Sequence, residues 1–248
     1  DIPRIYGNGC HLDHFSVTPA ECSFGKDDAD TTVVLFGDSH AAHWFPALEN
    51  LARHKGWRLV SMTKSGCPSV AIEPFNELLG RAYTECTAWH DRVIERIGQL
   101  QPKLVVLSNS GKYVDDRPAG GRQWQTGVDE MLSMLSAPER RVVIIKDVPR
   151  LDDSGPDCLS LAVWKSQDPD QRCRVPMTTP KESLTAQAER AAASSHQVQI
   201  IDMDNAVCPS QPCPVFADGR VKYTDEHHLS RTFSAYLAPQ LEAALDRP

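Results

Sequence analysis

Thr32-Val33-Val34-Leu35-Phe36-Gly37-Asp38-Ser39-His40-Ala41-Ala42 is the stretch on which the reading of this chain turns. Its first five residues form an apolar run, the pattern of a strand covered on both faces. Gly37 loosens the turn that follows, and residues 41–45 read as the start of a helix. A serine at that point ends a buried strand and opens a helix, so its Oγ is exposed and nearby backbone N–H groups can stabilise a developing oxyanion. The matching feature stands at the far end of the chain, in Tyr223-Thr224-Asp225-Glu226-His227-His228-Leu229-Ser230. An aspartate three residues ahead of a histidine, just before a last helix, supplies the other two members of a Ser–His–Asp relay.

Outward from Ser39, strand-like and helix-like segments alternate. The apolar run at 33–36 and the segments 58–62, 104–107, 142–145 and 198–201 read as five strands. Helical spacing recurs at 46–54, 83–100, 124–135 and 183–195, and Ser230 caps a last helix that Pro239 should kink or divide. Five β/α alternations predict an α/β fold: a single-domain α/β/α sandwich with a mostly parallel five-stranded sheet, over residues 31–248. Residues 1–30 lack periodicity and are expected to form an irregular extension pinned by a disulfide. A connection rich in Pro and Asp fills 147–179, and a small hairpin is expected at 215–223. Parallel sheets carry their sites at the carboxyl ends of their strands. Ser39, Gly66 and Asn109 all fall on that rim.

With 41% hydrophobic residues among 248, the chain can bury a substantial core. A net charge of −7, with Arg140-Arg141 the only adjacent Lys/Arg pair, argues against nucleic acid or an anionic membrane surface as partner. No apolar run reaches the length of a membrane span, and no signal-peptide pattern opens the chain, so the start at Asp1 suggests a mature or excised portion of something longer. The eight cysteines fall as neighbouring pairs: Cys10 and Cys22, Cys67 and Cys86, Cys158 and Cys173, Cys208 and Cys213. Each pair brackets an irregular segment, and closing such loops typically contributes roughly 2–4 kcal/mol. Disulfides imply an oxidising, extracytoplasmic compartment. C-x-x-C spacing and a following H-x3-5-H are both missing, so no metal site is expected.

Ser39 needs a base to become a nucleophile. His228 is the expected base and Asp225 the group that fixes its tautomer. His227 is the rival, but it stands only two positions from Asp225. His40 and His43 are expected to be structural or substrate-lining, and Asp38 to support the turn through backbone N–H groups. The oxyanion donors expected are the N–H of Ser39, the glycine turn at Gly66 and the side-chain amide of Asn109.

On these residues the chain resembles the SGNH hydrolase superfamily, and more narrowly the SGNH domain carried behind the membrane domain of bacterial acyltransferase-3 proteins. The resemblance runs from Val33–Ala41 to Asp225-Glu226-His227-His228-Leu229-Ser230, with Ser65-Gly66-Cys67-Pro68 and the Cys208–Cys213 segment between. It implies Ser39 as nucleophile, Asp225 as acid, His228 as base and Gly66 as the second-block glycine. It further implies O-acyl transfer, usually acetyl, to a hydroxyl of a cell-envelope glycan, polysaccharide or glycolipid, in the periplasm or on the outer face of the cytoplasmic membrane. The partner implied is a transmembrane acyltransferase-3 domain in the same full-length chain, through which the acyl group is delivered as an ester or from acetyl-CoA, and no further cofactor is implied. The alternatives are a free-standing carbohydrate O-acetylesterase and a non-catalytic glycan-binding domain.

Overall fold

The structure, a computed structural model, describes residues 1–114, 118–175 and 183–247. The end of the connection expected at 147–179 therefore lies outside the described residues. The main sheet contains β1 (His11–Leu12), β2 (Ser23–Gly25), β3 (Thr32–Gly37), β4 (Arg58–Lys64), β5 (Leu104–Ser108), β6 (Arg141–Ile145) and β7 (Gln199–Ile201). Its order is β1-β4-β3-β5-β6-β7, with β2 also paired to β4. The five strands expected from the sequence, β3 to β7, are all mutually parallel.

Among the described residues the sheet has seven strands rather than five. Leu12 pairs with Lys64 in parallel, and Ser23–Gly25 runs antiparallel to residues 58–60, so the N-terminal segment lines the outer edge of β4. Strands of two and three residues are too short to show a period, yet they cover backbone groups that an open edge would expose. Lys64 ties the segment down: it is buried, and its Nζ donates to the carbonyls of Asp13 (2.6 Å) and Ser16 (2.7 Å).

Alternation in β3 divides the core. Val33 and Leu35 face one layer with Leu59 and Val106, while Val34 and Phe36 face the other with Val60 and Val105. The helices include α1 (Ser39–Ala42), α2 (Phe45–Lys55), α3 (Thr84–Leu100), α4 (Pro118–Leu135), α5 (Gly155–Trp164), α6 (Leu184–Ser195), α7 (Arg231–Tyr236) and α8 (Ala238–Leu245), with further single turns at Pro169–Arg172 and Asp204–Val207. Buried residues of α2, α7 and α8 pack on the first face, and those of α3, α4 and α6 on the second. Pro239 sits in the first turn of α8, and the last helix is indeed divided there. The four neighbouring cysteine pairs are all disulfides.

The sheet sets the height of the site. Gly37, the last residue of the central strand, is flanked by Thr63 on β4 and Ser108 on β5. A Cβ on Gly37 would lie 2.2 Å from the Ser108 carbonyl oxygen, so only glycine allows the strands to close this tightly under the turn.

Candidate active site

Ser39 is the first residue of α1 and Asp38 its N-cap. The first N–H groups of a helix have no intrahelical acceptor. Asp38 satisfies one of them, taking the His40 N–H on Oδ1 at 2.7 Å. Its other oxygen accepts from the Ser110 N–H (3.0 Å) and the Tyr113 hydroxyl (2.9 Å). Asp38 is thus a buried brace between the serine turn and the loop after β5, the supporting role expected of it. Burial first, then the charge of Asp38, holds the Tyr113 hydroxyl well above its usual pKa, so it remains a donor.

His228 arrives on a different kind of support. The Thr224 N–H donates to the His228 carbonyl at 2.9 Å and closes a tight loop, while Tyr223 and Leu229 form a bridge beneath it. Asp225 organises the loop interior. Its Oδ1 accepts the N–H groups of His227 (2.8 Å) and His228 (2.7 Å), and its Oδ2 accepts His228 Nδ1–H at 2.6 Å. With Nδ1 protonated, Nε2 is an acceptor, and Ser39 Oγ–H stands 2.8 Å from it. Burial alone would raise the Asp225 pKa, but these three hydrogen bonds outweigh it and hold the carboxyl far below the usual range. Serine, imidazole and carboxylate therefore lie in hydrogen-bonded sequence, with residues 39 and 228 brought together from opposite ends of the chain.

Gly66 follows β4 on the same rim. The Cys67 N–H reaches the Lys64 carbonyl at 3.3 Å, and Gly66 takes the third position of that turn at φ +64°, where glycine is favoured. The disulfide from Cys67 to Cys86 on α3 anchors the turn. Asn109 follows β5 and is buried. Its Oδ1 accepts the Ser69 N–H (2.6 Å) and hydroxyl (2.9 Å), and its Nδ2 donates to Glu189 Oε1 (3.3 Å). The partners of Asn109 are thus Ser69 and Glu189 rather than members of the serine–histidine pair. Burial raises the Glu189 pKa to about 8.

Asp147, just after β6, was not singled out in the sequence. It hydrogen-bonds His40 Nδ1 through Oδ1, and its Oδ2 accepts the Gly111 N–H at 2.7 Å. The rim rule that marks Ser39, Gly66 and Asn109 would have marked Asp147 too. His40 Nε2 in turn lies 2.9 Å from His227 Nδ1. Beside these rings opens a cleft of about 1150 Å³, whose walls include Lys112, Lys146, Arg150, Asp202 and Asp204. Ring nitrogens of His40, His227 and His228 approach within 4.8 Å of one another, as do Cys67, Cys86 and His90 ligand atoms. In the second group both sulfurs are spent in a disulfide, and in the first all three rings are hydrogen-bonded to protein partners.

The chain belongs to the SGNH family described as the SGNH domain fused to AT3 domains, whose family model matches residues 9–243. Among solved structures it resembles the lipopolysaccharide acetyltransferase periplasmic domain of Salmonella ser. Paratyphi A. That match has 18% identity and a TM-score of 0.68, covering 98% of this chain and 88% of the other. An acylhydrolase candidate from Bacteroides fragilis matches at 13% identity and a TM-score of 0.54, covering 90% of this chain and 89% of the other. The search of curated proteins found no match. At these identities the two structures establish the shared α/β fold.

Proposed function

We propose that the chain is an extracytoplasmic serine O-acyltransferase domain that passes an acyl group, most simply acetyl, to a hydroxyl of a cell-envelope glycan or glycolipid. The observation that carries this reading is the unbroken line from Ser39 Oγ through His228 to Asp225, with contacts of 2.8 and 2.6 Å. In the first half-reaction Ser39 Oγ attacks the donor ester carbon while His228 Nε2 takes its proton. The donor's leaving oxygen departs with that proton, leaving an ester on Ser39. In the second half-reaction the acceptor hydroxyl gives its proton to His228 and attacks the same carbon. The bond to Ser39 breaks, and the proton returns to Oγ. Asp225 keeps Nδ1–H bound and stabilises the imidazolium at each stage.

The oxyanion donors proposed are the Ser39 N–H at the start of α1, the Gly66 N–H, and the Asn109 amide hydrogen that Glu189 does not take. A family shared with AT3-fused domains supports delivery of the acyl group by a transmembrane acyltransferase-3 domain in the same full-length protein. The Salmonella neighbour, a periplasmic acetyltransferase domain, supports acetyl as the group transferred, and four disulfides support an oxidising compartment. No cofactor beyond the acyl donor takes part in these steps.

A carbohydrate esterase would use the same three residues with water as acceptor. The open cleft beside His227 favours a larger acceptor. A fluorophosphonate probe tests the catalytic reading: covalent labelling at Ser39, abolished in His228→Ala, is expected. A chain whose labelling is absent, or indifferent to His228, is a binding domain instead.

A further inference from the structure

The triad does not use His227, although this residue is its nearest neighbour. The rings of His227 and His228 lie 4.1 Å apart, centroid to centroid, and are tilted by 47°. Three features of His227 are unusual for a spare loop histidine. Its backbone N–H is fixed by Asp225, the same carboxylate that holds His228. Its Nδ1 is bonded to His40, stacked on it with an interplanar angle of 7°. His40 is itself buried and anchored by Asp147, which is locked to Gly111 and to its own following N–H, that of Val148. The ring of His227 is therefore immobilised from behind by a chain of two side chains, His40 and Asp147.

What that chain points toward is the cleft. His40 and His227 both line it, whereas Ser39 and His228 do not. His227 thus forms the joint between the cleft and the reacting serine. With Nδ1 committed to His40, the ring atom left for a ligand is Nε2. Burial would push His40 toward neutrality, but the charge and hydrogen bond of Asp147 prevail and its pKa is raised. Burial and the neighbouring His228 and His40 push His227 down to about 4, so it is neutral near pH 7. Asp147 takes His40 Nδ1–H, so a protonated His40 donates from Nε2 to His227 Nδ1, and the neutral His227 then carries its proton on Nε2. The group offered beside His228 is then an N–H donor suited to a hydroxyl oxygen.

We propose that His227, positioned by His40 and Asp147, binds the hydroxyl next to the one being acylated, so that this site selects acceptors carrying vicinal hydroxyls. The inference rests on the acyltransfer reading above and adds the acceptor class to it. His228 Nε2 takes the attacking hydroxyl, and the adjacent imidazole takes its neighbour on the next carbon. A lone alcohol satisfies only the first. His227 itself transfers no proton.

The test compares acceptors within each variant, so that changes in acylation cancel. Chains carrying the parent sequence, His227→Ala, His227→Gln and Asp147→Asn are charged with p-nitrophenyl acetate. Cyclohexanol, cis-cyclohexane-1,2-diol or trans-cyclohexane-1,2-diol is supplied at equal concentration, and acetylated product is measured relative to acetate. Counted per hydroxyl, the parent chain is expected to favour at least one diol over cyclohexanol by about tenfold, equivalent to about 1.4 kcal/mol for one hydrogen bond. His227→Ala should erase that preference. His227→Gln, which keeps an amide donor, should retain part of it, and Asp147→Asn should weaken it by raising KM for the diol. An acetylated Ser39 that transfers to diol and cyclohexanol alike, or to neither, overturns the proposal, as does a preference that survives His227→Ala. A parent chain that never acetylates Ser39 removes the acyltransfer reading as well.

Discussion

The turn that carries Ser39 and the loop that carries His228 meet at a 2.8 Å hydrogen bond, but they are built in opposite ways. Ser39 is placed by the protein's centre. The strand before it is flanked on both sides, the glycine beneath it has no room for a Cβ, and the neighbouring Asp38 is buried and braces three groups. His228 is placed locally, by a half-buried aspartate that gathers two backbone N–H groups and one imidazole within four residues. The position of Ser39 is thus a property of the whole fold, and that of His228 a property of one carboxylate. Damage to the first should unfold the protein, and damage to the second should silence it while folded.

The sharpest way to break this comparison is Asp225→Asn. The amide favours the wrong His228 tautomer, and a fall in kcat/KM of about 10⁴-fold is expected by analogy with other serine triads. Native secondary structure by circular dichroism should persist. Sign follows from the lowered pKa: a depressed carboxyl contributes stability above its unfolded value near about pH 4, lost as pH falls toward the native value. The Asn variant should therefore lose that part of the acid dependence of Tm.

Gly37→Ala probes the other side. Its Cβ would press on the Ser108 carbonyl, with a loss of about 3 kcal/mol or more expected in denaturant unfolding. A variant of native stability with normal activity would mean that the central strands are less closely locked than described.

Glu189 supplies a subtler test of the rim. Its pKa is raised to about 8 by burial, so its contribution is present below the unfolded value and is lost as pH rises through the native one. Stability should decline between about pH 5 and 8 by roughly 2–4 kcal/mol from this group. Glu189→Gln keeps an acceptor for Asn109 and should flatten that slope. Equal slopes in both proteins would contradict the burial argument.

The smallest effect is expected at Gly66→Ala. A Cβ there has space, with His14 Nε2 at 3.4 Å, so the cost is the left-handed backbone, about 1 kcal/mol. A shift of its N–H should lower kcat by about tenfold without a matching rise in KM.

The same contrast explains what the sequence revealed. Strands β3, β4 and β5 were legible as hydrophobic segments buried along nearly their whole length, and β6 and β7 as hydrophobic segments that follow predicted helices. Serine, aspartate and histidine were legible as short motifs, since local spacing sets both the helix cap at Asp38 and the loop at Asp225. The disulfides followed from nearness along the chain. Strands β1 and β2 were not legible, because their pairing depends on an edge of β4 that only forms in space. Nor was the contact of His40 with Asp147, which joins residues separated by 107 positions and leaves no periodic trace. The standing of His227 follows from that hidden contact.

The most direct measurement is intact-protein mass spectrometry after rapid mixing with p-nitrophenyl acetate and an acid quench. One added acetyl group, mapped by peptide fragmentation to Ser39, formed with a burst of p-nitrophenol and absent from Ser39→Ala, is the expected result. Release of p-nitrophenol at the same rate by Ser39→Ala, or an acetyl group carried on another residue, would contradict it.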